Sequence, residues 1–171
     1  MFFNDDAIRV IQALAQTFTI HTTCMHGDCS WTRSIKGVIN CKLLGPEGYA
    51  KLIVQASFLL GLGNPIISPS PIIGMANGVA FLNPRRRGTY QHPPLAKEWE
   101  PYVYNIENFQ NIDDIIEKAE SSVLYQNRFS SHIPPDYQVE RVINRVCDML
   151  SPNNMQGCLF LVVDCLAGRV L

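Results

Sequence analysis

The sequence predicts a mainly α protein, a single helical domain of about six helices with a long irregular, proline-rich central segment at residues 64–101. Apolar residues recur with the period of an amphipathic helix in several stretches. Seven of the 11 prolines fall within residues 64–101, where that period disappears. The 171 residues are the size of one domain. The alternative is an α+β fold with a short sheet from residues 66–82 and 158–163.

The first helix is predicted over residues 5–18. Asn4 can cap it, and Asp5 and Asp6 suit the positive end of the helix dipole. The stripe consists of Ile8, Ile11, Leu14, Ala15 and Phe18. The following residues, 19–29, contain β-branched residues and a glycine without a helical stripe, so they are predicted to form a loop.

Two more helices are predicted before the central segment. Ser30 can cap the first, which carries an apolar side through Trp31, Ile35 and Val38 and ends at Gly45. The second begins at Pro46, which the first turn of a helix tolerates, and ends at Gly61. So little polarity surrounds this second helix that we expect it to be buried.

The central segment is expected to extend along a surface. Short extended pieces are predicted within it, with a turn at Asn77 and Gly78. Segments of this length without regular structure are unusual in compact domains and are often functional. The segment is therefore treated as an arm or loop within the domain.

Three helices are predicted in the C-terminal half. Residues 112–125 follow Asn111 as a cap, and residues 136–150 follow Pro134 and Pro135. The last segment, residues 151–168, contains CLFLVV and is ambiguous between a buried strand and a helix. The helix is favoured, because Ser151 and Pro152 resemble a helix start.

Composition excludes some functions and favours one compartment. The 14 basic and 15 acidic residues nearly cancel, so general nucleic-acid binding is not expected. Residues 52–82 are uncharged, but Pro65, Pro69 and Pro71 would break a membrane-spanning helix. Asp5 and Asp6 lie where a secretory signal would be basic. The six cysteines are therefore expected to be thiols in a reducing intracellular compartment.

A metal site is one hypothesis for the stretch HTTCMHGDC. Its thiols and imidazoles are residue types that bind zinc, and Gly27 permits a tight turn. One short loop would be strained as the source of all four ligands, so no cofactor is the favoured expectation and zinc the alternative. Cys41 could replace one ligand. The candidate ligands are His21, Cys24, His26 and Cys29.

A catalytic thiol is a further alternative. Cys29 precedes the predicted helix start at Ser30, whose dipole would favour a thiolate, and His92 or His132 could act as a distant base. Such sites are normally assembled from distant parts of a chain beside oxyanion donors, because adjacent residues on one loop rarely point at one another.

Arg85, Arg86 and Arg87 form a basic cluster that could contact an anion or a partner through bidentate hydrogen bonds. The favoured alternative is an exposed turn paired with the acidic stretch that includes Glu107.

The central segment and the aromatic residues after it form a predicted protein contact surface. Aromatic side chains bury much area for little entropy, which interfaces favour, but they could equally fill the core. The surface comprises Pro65, Ile66, Ile67, Pro71, Ile72, Ile73, Trp99, Tyr102 and Tyr104.

These observations lead to the hypothesis of a non-enzymatic structural subunit that associates with itself or with other chains. Low charge and an uncharged apolar arm are its support. The alternative hypothesis is a small zinc-binding or cysteine-dependent protein with its site at residues 21–29.

Overall fold

The computed structural model describes residues 5–24, 32, 34–42, 44–62, 70–86, 88–96, 102–129 and 159–164. The four α-helices of this part are α1 (Asp5–Leu14), α2 (Pro46–Gln55), α3 (Ser70–Ala76) and α4 (Ile112–Phe129). The strands are β1 (Thr19–Cys24), β2 (Val38–Lys42), β3 (Phe58–Gly61), β4 (Ala80–Arg86), β5 (Thr89–Tyr90), β6 (Val103–Ile106) and β7 (Leu159–Asp164). A short 3-10 helix covers Pro93–Ala96.

The seven strands form one sheet in the order β2-β1-β7-β3-β4-β5, and β6 also pairs with β4. β1 is parallel to β2, and β3 and β6 are both parallel to β4. β7 is antiparallel to both of its neighbours, β1 and β3. β1, β2, β3, β4 and β6 therefore all point in the same direction.

Helices cover both faces of this sheet. One hydrophobic cluster joins α1 and α4 to one face through residues such as Ile11, Leu60 and Ile115. A second cluster joins α2 and α3 to the other face through residues such as Leu59 and Met75. Alternate side chains of β3 and of β4 enter opposite clusters, as the strand period of two requires. The result is a three-layer α/β/α arrangement.

Gly74 allows α3 to approach the sheet closely. A Cβ atom at this position would lie 2.5 Å from Cδ1 of Leu59. Leu59 is fully buried, so its side chain has little freedom to move away.

The prediction of a mainly α fold with six helices is wrong, because most of the predicted helical and irregular segments contain strands. Residues 19–29, predicted as a loop, begin with β1, and the helix predicted up to Gly45 contains β2. The helix predicted from Pro46 ends at Gln55, and its remaining apolar residues form β3. The segment at residues 64–101 contains α3, β4, β5 and the 3-10 helix, and β7 replaces the last predicted helix.

The physical reason lies in burial on both faces. An interior strand of a parallel sheet is apolar on both faces, so it appears as a continuous apolar run rather than an alternating one. Phe58, Leu59 and Leu60 are all fully buried. Such a run cannot be distinguished from a buried helix by periodicity alone. The α+β alternative placed a strand at residues 158–163, where β7 lies, but residues 70–76 of its other segment form α3.

The first predicted helix begins where expected but ends at Leu14 instead of residue 18. Its buried residues are Ala7, Val10, Ile11 and Leu14, so of the predicted stripe within the helix only Ile11 and Leu14 are fully buried, and Ile8 is partly buried. The predicted cap of the fourth helix is confirmed. The backbone N–H of Asp114 donates to Oδ1 of Asn111 at 3.3 Å, which is the predicted cap of α4. The helix predicted over residues 136–150 lies outside the described residues. Within the described part, no helix has both the length and the apolar character that crossing a bilayer requires.

Candidate functional site

The carboxyl ends of β1, β2, β3, β4 and β6 lie along a single edge of the sheet, since these strands are parallel. In open α/β sheets, ligands bind at this edge, near the point where the strand order reverses. Here the reversal lies between β1 and β3. The polar residues at the carboxyl edge are therefore the candidate site.

Asn83 organises the carboxyl end of β4. Its side chain is fully buried. Oδ1 of Asn83 accepts from the backbone N–H of His92 at 2.8 Å, and its Nδ2 donates to the His92 carbonyl at 3.2 Å. Nδ2 also donates to Oδ1 of Asn105, on β6, at 3.1 Å. One amide thus joins β4, β6 and the chain that follows the β4–β5 hairpin.

Arg85, Tyr90 and Glu107 form a second polar group at the carboxyl end of β4. Nη1 of Arg85 lies 3.0 Å from Oε2 of Glu107, and the Tyr90 hydroxyl donates to Oε1 of Glu107. The Arg85 guanidinium also lies 5.9 Å from the centre of the Tyr90 ring, and its Nε donates to the Gly88 carbonyl at 3.3 Å. We call Arg85, Tyr90 and Glu107 the edge triad.

The edge triad keeps its carboxylate ionised. The hydrogen bond from Tyr90, followed by the one from Arg85, lowers the pKa of Glu107 below its ordinary value. The same bond to Glu107, followed by desolvation, raises the pKa of Tyr90. At neutral pH, Glu107 is therefore a hydrogen-bond acceptor with a fixed negative charge, and Tyr90 remains a donor.

Gly61 lets the carboxyl end of β3 lie close to Gln91 and Phe81. A Cβ atom at Gly61 would lie 2.5 Å from Cγ of Gln91 and 2.9 Å from Cζ of Phe81. Gln91 and Phe81 are both buried. The absence of a side chain at Gly61 therefore lets Gln91 pack against the carboxyl end of β3.

The predicted metal ligands are only partly described. Nδ1 of His21 lies 3.5 Å from Sγ of Cys41, across the pair of β1 and β2. Burial raises the pKa of the Cys41 thiol, so this thiol is protonated at neutral pH. Cys24 ends β1, while its side chain, His26 and Cys29 lie outside the described residues. Among the described residues, no three metal-binding side chains come together, so zinc binding stays a prediction.

The predicted thiol-catalysis residues are not brought together within the described part. Cys29 and His132 lie outside it. His92 is buried, with its ring perpendicular to that of Phe81 at a centroid distance of 6.5 Å. A role for Cys29 and His132 therefore stays untested.

The predicted anion contact is placed at the carboxyl edge. Arg85 belongs to the edge triad, Arg86 ends β4, and Arg87 lies outside the described residues. The ion pair of Arg85 with Glu107 corresponds to the pairing that we favoured from the sequence. Both side chains are about half exposed or more, so Arg85 also faces solvent.

Much of the predicted protein contact surface lies within the fold. Pro71 and Ile72 are buried in α3, and Ile73, Tyr102 and Tyr104 are partly buried against the two clusters. Pro65, Ile66, Ile67 and Trp99 lie outside the described residues. The described part of the central segment therefore contributes to the core instead of forming a separate arm.

Sequence reasoning missed Asn83, Gln91 and Asn105 as members of a site. A polar residue directly after the apolar run VAFL marks the carboxyl end of a strand, and this signal could have identified Asn83. Gln91 and Asn105 gave no comparable signal, because their positions depend on pairing between distant parts of the chain.

Comparison with known proteins identifies the family. The model of glycosyltransferase family 18 matches residues 1–93, which is more than half of the 171-residue chain. This chain belongs to glycosyltransferase family 18. The match includes β1 to β4 and the hairpin that carries Arg85 and Tyr90.

A curated relative gives the family a more specific context. The chain is 26% identical, over an alignment of 130 positions that covers 63% of this chain, to the alpha-1,6-mannosylglycoprotein 6-beta-N-acetylglucosaminyltransferase of Caenorhabditis elegans. It spans 19% of the length of that relative.

Family 18 membership corrects two expectations. Its members are enzymes, so the hypothesis of a non-enzymatic structural subunit is wrong. The expectation of a reducing intracellular compartment is also wrong, because a relative of this chain is named for its action on a mannosylglycoprotein, and glycoproteins are processed in the oxidising lumen of the secretory pathway.

Proposed function

We propose that this chain forms a substrate-binding unit of a family 18 glycosyltransferase that transfers N-acetylglucosamine to a mannose residue of a glycoprotein glycan. The observation that carries the proposal is the family match over residues 1–93, which contains most of the parallel sheet. The name of the relative supports the sugar and the acceptor. The carboxyl edge is the proposed binding surface, in keeping with the ligand position of open α/β sheets.

Glycosyl transfer sets the chemistry that the edge must serve. A bond forms between the acceptor hydroxyl oxygen and the anomeric carbon, and the bond from that carbon to the leaving group breaks. The hydroxyl proton goes to a base, and the leaving group departs with the electron pair. An activated sugar donor has a phosphate-type leaving group, so negative charge develops where the leaving group departs.

The edge triad suits substrate binding at this edge. Arg85 is exposed and can offer remaining guanidinium N–H groups to an anionic leaving group. Glu107 is held as an ionised acceptor and can receive hydrogen bonds from vicinal sugar hydroxyls. Its lowered pKa makes it a weak base, so we assign Glu107 to binding rather than to proton transfer.

The proposal is tested by binding and transfer assays on the full chain. Calorimetry measures affinity for a nucleotide-activated N-acetylglucosamine and, separately, for a mannose-terminated glycopeptide. Mass spectrometry detects the glycopeptide that has gained one N-acetylhexosamine. We expect Arg85→Ala to weaken donor binding about tenfold, which corresponds to ~1.4 kcal/mol.

Lys51→Ala is the matched control, because Lys51 is an exposed cation on α2 whose ion pair with Glu47 is also exposed. It should leave the affinity unchanged. Failure of the unmodified chain to bind either substrate would refute the proposal. Equal effects of Arg85→Ala and Lys51→Ala would refute the assignment of the edge triad.

A further inference from the structure

The antiparallel strand β7 lies at the centre of the sheet, between two groups of parallel strands. β1 pairs with one edge of β7 from Thr19 to Cys24, and β3 pairs with the other edge from Phe58 to Gly61. β7 separates the parallel pair of β1 and β2 from the parallel strands β3, β4 and β6. The position that it fills is the one at which the strand order reverses.

The connections between the parallel strands lie on particular faces of the sheet, and these faces indicate which kind of strand fits the position between β1 and β3. Right-handed crossovers that move in opposite directions along a sheet lie on opposite faces. α2 and α3 lead the chain from β2 towards β4, and both belong to the second cluster. The connection from β1 to β2 moves in the other direction, and its Ile35 belongs to the first cluster.

α1 also belongs to the first cluster, and it leads directly into β1. It therefore lies on the face of a crossover that moves towards β2. A right-handed crossover that uses α1 as its helix and ends in β1 has to start on the opposite side of β1 from β2. That starting position is the one that β7 occupies.

We propose that the position between β1 and β3 is a strand-accepting site for an extended segment that runs parallel to these strands and leads into α1. With this segment as the first strand, the parallel strands follow the order 3-2-1-4-5-6 of doubly wound sheets. In this structure, β7 pairs with the same backbone edges in the antiparallel direction. The proposal concerns the sheet alone and does not depend on glycosyl transfer.

The neighbours define the chemistry of the segment. Phe58 and Leu60 enter the first cluster, while Leu59 enters the second. A strand beside β3 therefore contacts two apolar layers and has to be apolar on both faces, as interior strands of parallel sheets are. Pairing through both of its edges excludes proline from its interior.

The test adds such a segment to the full chain. An apolar strand of about six residues, rich in valine and isoleucine, is joined ahead of Met1 through a short glycine-containing turn. In the matched control, two interior residues of the added strand are proline. Hydrogen exchange then measures the protection of the backbone amides of β1, β3 and β7.

We expect the added strand to displace β7. Exchange of the Leu159–Asp164 amides should become about tenfold faster or more, while the amides of β1 and β3 keep their protection. The proline control should leave exchange of β7 unchanged. Unchanged β7 protection with the apolar strand, or new protection at the free edge of β2, would overturn the proposal.

The unmodified chain provides a second measurement that needs no variant. If β7 is replaceable, its amides should exchange through a partial opening about tenfold faster than those of β3 and β4. Exchange of β7, β3 and β4 at one common rate would overturn the proposal. A dimer that forms by exchange of β7 between copies would do so as well.

Discussion

Asn83 shows how one buried side chain can replace several backbone hydrogen bonds. Its amide binds both the N–H and the carbonyl of His92, and this carbonyl also accepts from the backbone N–H of Leu95 at 3.1 Å. The residue lies nine positions from His92 and 22 from Asn105 along the chain. Such a role depends on long-range pairing, which is why local sequence patterns did not reveal it.

Replacing Asn83 by alanine should destabilise the fold. The change removes three hydrogen bonds, two of them to the backbone N–H and carbonyl of the buried His92. We therefore expect a loss of ~2–4 kcal/mol in the free energy of unfolding. Asn105→Ala is the matched control, since of the three Asn83 bonds it removes only the one to Asn105, and it should cost less than Asn83→Ala. Denaturant titration measures both values, and equal losses would contradict this account.

The edge triad gives a pH-dependent contribution to stability. The pKa of Glu107 is lowered from its ordinary value of 4.5, so this contribution is present above pH 4.5 and is lost as the pH falls through the lower folded value. The difference in stability between the unmodified chain and Glu107→Gln should therefore shrink in acid. A difference that stays constant down to the acid limit would contradict the pairing.

Tyr90 tests the same contacts from the alkaline side. Its pKa is raised from the ordinary value of 10.0, mainly by its hydrogen bond to Glu107. The contribution of that bond is present below pH 10 and is lost as the pH rises through the raised value. Ultraviolet titration should show Tyr90 ionising at lower pH in Glu107→Gln than in the unmodified chain. Identical titration curves would exclude the bond.

Among the helices and strands, those with one exposed face could be predicted from the sequence. α1 and α4 each have a buried stripe and exposed acidic residues in the first turn, so the helical period is visible in both. β3 and β4 are covered by helices on both faces, and their apolar runs carry no period. Prediction failed for the fully buried strands. Periodicity is read from the alternation of apolar and polar residues, and a strand buried on both faces has no polar residues to alternate.

Gly61→Ala tests the close approach at the carboxyl end of β3. The new Cβ would meet Gln91 and the buried ring of Phe81, so we expect a loss of ~1–3 kcal/mol. Gly48→Ala is the control: its Cβ would make only ordinary contacts in α2, and the higher helix propensity of alanine should add ~0.5–1 kcal/mol. Thermal or chemical unfolding distinguishes the two signs. A neutral Gly61→Ala would show that the neighbours can yield.

For the whole molecule, one sheet shared by two hydrophobic clusters predicts a single cooperative unfolding transition. Leu59 belongs to the second cluster and Leu82 to the first, and both are fully buried. Leu59→Ala and Leu82→Ala should each lower stability by ~2–5 kcal/mol. Fluorescence and far-ultraviolet circular dichroism should shift together in each variant. Separate transitions for the two probes would indicate that the layers unfold independently.

Association with itself or with other chains stays a prediction for the whole molecule. In the described part, the exposed large hydrophobic side chains Ile39, Val54 and Leu124 lie on three different elements. Isolated apolar residues of this kind are common on protein surfaces. Light scattering on the purified chain would decide between a monomer and an oligomer.

The central place of β7 also governs when the sheet can be completed during synthesis. The pair of β1 and β2 and the group of β3, β4 and β6 are joined in the sheet only through residues 159–164. A ribosome therefore makes every other described strand before it makes the one that unites them. Until then, the nascent chain exposes two unpaired β edges, and chaperones that bind extended apolar segments would find their substrate there.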